Sequence, residues 1–132
     1  MKHFSLSSDE RIKKRKDFEL IFSTGRLVYS TGKVFRAHYT IEKDNDYKGV
    51  KIAPVVGKKL GNAVWRNRVK RLIKESYRLN KEILTEVSLR NSVLLKIIFS
   101  PNLLNEEKNK ILSYNDVMPH VLEIMTKIAS RL

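Results

Sequence analysis

From Gly57 to Arg78 the chain reads Gly-Lys-Lys-Leu-Gly-Asn-Ala-Val-Trp-Arg-Asn-Arg-Val-Lys-Arg-Leu-Ile-Lys-Glu-Ser-Tyr-Arg, eight Lys or Arg side chains against one acid, Glu75. The spacing predicts a turn over Gly57–Gly61 and a helix from about Asn62 or Ala63 to about Asn80. Trp65, Val69, Leu72, Ser76 and Leu79 step along one side and form a narrow packing face. Asn67, Arg71, Lys74 and Arg78, at i, i+4, i+7 and i+11, form a polar basic stripe, with Arg66 and Lys70 beside it. A helix this cationic repels itself, so the fold must seat its apolar stripe and leave its charge outside. Exposed helices usually intersperse signs at i, i+4, and here only Glu75 offsets the cations. That arrangement calls for a polyanionic partner.

The charge is unevenly spread. Residues 1–80 hold 20 basic and 8 acidic side chains, and residues 81–132 hold 7 and 6. Such concentration reads as a binding footprint for nucleic acid. An anionic membrane would also attract it, but no strongly apolar face carries exposed Trp or Phe for insertion. No apolar run approaches the roughly 20 residues that span a bilayer, and no signal-peptide core stands at the N-terminus. At 132 residues and 42% hydrophobic content, the chain reads as one domain with its own core. Cysteine is absent, which removes disulfides and thiolate chemistry and makes a cytoplasmic location the default.

The first ten residues, with Ser5, Ser7, Ser8 and Asp9, read as a loosely ordered lead-in. Arg11-Ile-Lys-Lys-Arg-Lys16 is a cationic patch, and a short helix follows from Asp17 to a stop at Gly25. Phe18, Ile21 and Phe22 form its apolar stripe. Val34–Ile41 alternates as a strand, with Phe35, Ala37, Tyr39 and Ile41 on one face and Arg36 and His38 on the other. After a polar loop, Val50–Val56 reads as the returning strand of a hairpin, where Pro54 indicates an edge or a bulge. Ser92–Phe99 is apolar enough for a central strand. A last helix, near Tyr114–Ser130, turns Val117, Val121, Ile124, Met125 and Ile128 inward. The order leaves room for one further short strand and indicates an α+β sandwich, with a βαβ crossover if the strands flanking the basic helix pair in parallel.

Enzymatic templates fit poorly. His3, His38 and His120 are scattered without metal-ligand spacing, and Asp44-Asn45-Asp46 lacks the glutamate that a calcium loop needs at its twelfth position. Gly57-Lys-Lys-Leu-Gly61 lacks the Walker spacing, although its amides and the following helix N-terminus could hold one phosphate of a nucleic acid. No nucleophile–base pair is apparent. Arginine forks suit phosphate and structured RNA, and Asn67 between Arg66 and Arg68 can read a sugar or base edge.

The gapless run from Lys58 to Arg78, centred on Arg66-Asn67-Arg68, resembles the bacterial ribonuclease P protein component, as does the block Arg11–Phe22 with Gly25. The resemblance spans residues 11 to 99, with a last helix where that family has one. It implies a two-layer α/β sandwich, α-β-β-β-α-β-α, with a left-handed βαβ crossover, opposite to the usual hand. It also implies a subunit that binds a large catalytic RNA, which cleaves the 5′ leader from precursor tRNA with Mg²⁺ held mainly by that RNA. No organic cofactor and no protein partner are implied. By position, Lys58, Lys59, Arg66, Asn67, Arg68, Lys70, Arg71, Lys74 and Arg78 would form the RNA surface. Phe18, Phe22 and Tyr39 would line a cleft for the single-stranded leader, where rings accept bases with little sequence preference. Periodicity alone favours core packing for both phenylalanines. Pro54 and Gly57 depart from the family's pattern, and the strand at 34–41 aligns loosely.

Other readings of the same residues are a structured-RNA-binding or ribosome-associated protein without a role in cleavage, and a DNA-binding repressor. The repressor reading lacks a short partner helix before the basic one.

Overall fold

A computed structural model describes residues 6–132; His3 lies outside this range. The elements are α1 (Arg15–Thr24), β1 (Arg26–Tyr29), β2 (Phe35–Glu42), β3 (Gly49–Pro54), α2 (Ala63–Asn80), α3 (Glu82–Arg90), β4 (Leu94–Pro101) and α4 (Tyr114–Ala129). The expected α+β sandwich is present, with two additions: β1 fills the space left for a short strand, and α3 continues the basic helix. The sheet runs β1-β2-β4-β3, with β2 antiparallel to β4 and β3 parallel to β4.

This order corrects the hairpin expected between β2 and β3. Strand β4 lies between them, and every one of its residues is buried. Its near-continuous apolar run can be covered on both faces only at a central position. The α2–α3 segment is therefore a crossover between two parallel neighbours. Strand β3 is left at the edge, where Pro54 is tolerated. The Val55 amide donates to Phe99 O at 2.9 Å, so alternation turns the Pro54 nitrogen away from the sheet. The lead-in shields part of that edge: the Ile12 amide donates to Ile52 O at 3.0 Å.

The described part of the lead-in is tied to the fold. Leu6 packs against the main core, Ser8–Glu10 forms a 3-10 turn, and Glu10 pairs with Lys81 at 3.0 Å. One face of the sheet, with Phe35, Ala37, Tyr39, Ile52, Leu95, Ile97 and Phe99, packs against α2 and α4. The other face is only partly covered, by α1. There Ile21 joins Ile12, Ala53 and Ile98, with Phe18 packed against them. Gly25 is required where the chain leaves α1. A Cβ there would lie 2.3 Å from Ile21 O and 3.0 Å from Tyr39 O.

The turn after β1 is tied to α4. The backbone amide and Oγ1 of Thr31 donate to Glu123 at 2.9 and 2.8 Å, and Lys127 pairs with the same carboxylate at 3.0 Å. The Thr31 amide foremost, with help from Lys127, pulls the Glu123 pKa down to about 2. Its folded-state pKa thus lies below the ordinary value of 4.5, so its stabilisation is complete above pH 4.5 and is lost as pH falls towards 2. Urea unfolding between pH 5 and pH 2.5 should show a smaller loss of stability in Glu123→Gln than in the unmodified protein. Identical losses would remove Glu123 as a contributor.

Candidate nucleic-acid interface

Helix α2 is seated by Trp65, Val69, Ile73, Ser76 and Tyr77, all buried. The predicted stripe is right for Trp65, Val69 and Ser76. Ile73 and Tyr77 replace Leu72, which is only partly buried, and Leu79, which is 47% exposed. On the outward side Asn67, Arg68, Arg71 and Lys74 are exposed, with Arg66, Lys70 and Arg78 half-buried at the margins. Lys58 and Lys59 are exposed on a 3-10 turn just before the helix. The nine predicted RNA-surface residues therefore lie together on α2 and its approach.

Two of the arginines are pre-positioned. Arg66 Nε donates to Gly61 O at 3.0 Å and Arg68 Nε to Leu112 O at 2.9 Å. Each bond fixes the guanidinium plane and leaves its terminal amino groups for a phosphate. Among the described residues, Arg78 is the member of the set that pairs with an acid, Glu75 one turn before it.

The helix N-terminus does not offer the phosphate seat expected of Gly57–Gly61. Asn62 caps the helix by accepting from the Trp65 amide at 2.8 Å, while Glu106 accepts from the Asn62 amide at 2.8 Å and from Asn62 Nδ2 at 3.1 Å. A carboxylate already sits where an anion would bind and would repel a second one. Gly61 permits this closeness, since a Cβ there would come within 2.6 Å of the Trp65 ring and 2.8 Å of Glu106 Cβ. Gly57 is under no such constraint. Its φ is −64°, and an added Cβ would meet only Leu60, at 4.0 Å. Trp65 Nε1 donates to Asn109 O at 2.9 Å, so the 102–113 loop is fastened to α2 through Glu106, Asn109 and Leu112.

Beside α1, where the second surface is expected, the structure brings Phe22 and His38 together and sets Phe18 and Tyr39 apart from them. Phe22 is 43% exposed and meets His38 edge-on, with ring centroids 5.0 Å apart. Phe18 is partly buried against Ile12, Ile21, Ala53 and Ile98, so it serves packing first. The Tyr39 ring does not reach Phe22. Its side chain is fully buried in the main core, and its hydroxyl accepts from Arg131 at 3.1 Å. Alternation along β2 puts Tyr39 on the α2–α4 face and His38 on the α1 face. That signal was in the sequence, where Tyr39 falls with Phe35 and Ala37.

Along β2, Arg36 Nε, His38 Nδ1 and Thr40 Oγ1 are buried without a hydrogen-bond partner among the described residues. Burial first, and then the Arg36 charge, lowers the His38 pKa and favours the neutral ring. The accessible Phe22 ring therefore stands against an imidazole held neutral. Among the described residues, no three His, Asp or Glu side chains converge as a metal cage, and no helix is long and apolar enough to cross a membrane.

The family model for ribonuclease P matches residues 6–118. The chain belongs to the ribonuclease P protein family. It is 32% identical to the ribonuclease P protein component of Alkaliphilus metalliredigens, across 93% of this chain and 96% of that one. It is 42% identical to that of Syntrophus aciditrophicus over a shorter stretch, 62% of this chain and 65% of that protein. The solved RNase P protein of Staphylococcus aureus superposes with a TM-score of 0.66 at 28% identity, covering 91% of this chain and 94% of that one. Family members are subunits of an endoribonuclease, which agrees with an interface rich in anion-binding groups.

For this ribonuclease P protein, Glu106→Ala removes the second cap of α2 and one tie to the 102–113 loop. Urea denaturation should show a loss of about 1 kcal/mol, the usual worth of a helix cap. An unchanged midpoint would mean that Asn62 caps the helix alone.

Proposed function

We propose that α2 docks the catalytic RNA of ribonuclease P and that the cleft between α1 and β2 receives the 5′ leader of precursor tRNA. The observation that carries the docking is the one-sidedness of α2: its apolar stripe is buried in the core, and two of its arginines, Arg66 and Arg68, are held by backbone contacts. The leader reading is supported by the accessible Phe22 ring, which suits stacking, and by the His38 imidazole packed edge-on against it. His38 takes the role expected of Tyr39.

On this reading, phosphodiester hydrolysis runs through Mg²⁺ held by the RNA, and the protein contributes charge and substrate alignment. The protein alone cleaves nothing, and the particle works in the cytoplasm.

Leader removal from a precursor tRNA at low Mg²⁺ should be faster with protein plus catalytic RNA than with the RNA alone. Equal rates would overturn the proposal. Arg66→Ala with Arg68→Ala should flatten the plot of log affinity for the catalytic RNA against log salt by about 0.7–0.9 for each phosphate the helix no longer neutralises. An unchanged slope would remove α2 as the docking face.

A further inference from the structure

Helix α1 divides its side of the sheet into two flanks. Phe22 and His38 lie on one. Asp17, Leu20 and Thr24 look to the other, where two concavities open. The first, about 550 Å³, is bordered by Leu20, Thr24, Arg26 and Glu42. The second, about 420 Å³, gathers Arg11, Lys13 and Lys14 from the lead-in, Lys51 from β3 and Lys96 from β4, against the acids Asp9 and Asp17.

Lys96 forms the floor between the two. It is 9% exposed and pairs with Asp17 at 3.3 Å and Glu42 at 3.0 Å. Burial works against its charge, but Glu42 and then Asp17 outweigh that effect and raise its pKa. Lys96 is thus already compensated, and the remaining cations define the field of the second concavity. Among the described residues neither Lys14 nor Lys51 pairs with a carboxylate, although Asp9 borders the same space. Lys51 Nζ sits 4.8 Å from the centre of the Tyr47 ring, a cation–π contact that steadies it at the rim. Lys13 donates to Ser8 Oγ and Arg11 Nη2 to Leu6 O. Cations from two segments, the lead-in and β3, thus converge on one hollow beside the paired Lys96, where low-dielectric walls focus their field. A solvated charged face would spread them instead.

We propose that this hollow is a second RNA-phosphate site, separated by α1 from the Phe22 cleft, with Lys14 and Lys51 as its principal contacts. It rests on the reading of the chain as an RNA-binding subunit. The phosphate can come from the catalytic RNA or from the precursor, and the two sources are separable by titration.

The test uses the full protein with Lys14→Ala/Lys51→Ala, and in parallel Lys13→Ala/Lys14→Ala, whose targets are both exposed. Salt dependence is measured in two titrations: protein onto catalytic RNA, and precursor tRNA onto the assembled holoenzyme. One of the two slopes should fall by about 0.7–0.9 for each phosphate left without its lysine, and the affected titration names the source. Lys51→Arg should retain the slope, and Arg90→Ala, at the far end of α3, should leave both titrations unchanged. Unchanged slopes in both lysine double variants, with wild-type binding intact, would overturn this site alone. Wild-type protein that binds neither RNA would overturn it together with the docking proposal.

Discussion

The seating of α2 is the constraint on which the rest of the structure depends. Its cations repel one another, but like charges a turn apart on an exposed helix cost only about 0.2–0.5 kcal/mol each. Burying a side chain such as Val69 or Ile73 stabilises by about 1.5–3 kcal/mol, and Trp65, Val69, Ile73 and Tyr77 are all buried. The apolar side therefore decides the position of the helix, and the charged side follows passively to the surface. This requires an apolar sheet face beneath α2 and a second helix, α4, beside it, and both are in place. The β3–α2–α3–β4 crossover delivers the helix to that seat and makes β4 the central strand.

Much of this was legible in the sequence because it rests on local periodicity. The extents of α2 and α4, the central character of the Ser92–Phe99 strand and the edge position of Pro54 all follow from patterns of a few residues. The strand order did not. Whether β2 and β3 pair directly or accept β4 between them depends on non-local pairing that a loop such as Glu42–Gly49 does not encode. Ile73 and Tyr77 were missed because the stripe was stepped through Leu72 and Leu79, whereas straight i, i+4 steps from Trp65 lead through Val69 and Ile73 to Tyr77. Helix α3 follows α2 directly, and its weak amphipathicity left Glu82–Arg90 unread.

The cleft residue shows a different kind of failure. Alternation had already put Tyr39 with the core residues and His38 opposite, yet an aromatic ring was expected to line the cleft and Tyr39 was the ring at hand. Strand parity is the stronger physical statement, because a one-residue shift would move every β2 side chain to the wrong face. The outcome changes the chemistry of the cleft. Where a phenol was expected, an imidazole stands beside the Phe22 ring, and burial with the Arg36 charge keeps it neutral.

The acids reveal a division of labour. Glu106 closes the N-terminus of α2, Glu123 holds the turn at Thr31, Glu10 fastens the lead-in to Lys81, and Asp17 with Glu42 neutralises buried Lys96. Each of these carboxylates joins elements that are distant in the chain, so each is used for architecture. Among the described residues, Arg78 is the α2 cation that pairs with one of the acids. A chain with so few acids could have spent them along α2 in i, i+4 pairs, which would have relieved the helix's self-repulsion. Placed instead at the joints of the fold, they stabilise the scaffold and leave the outward charge of α2 largely in place. The same surface charge is compensated by counterions, and its field is screened by salt.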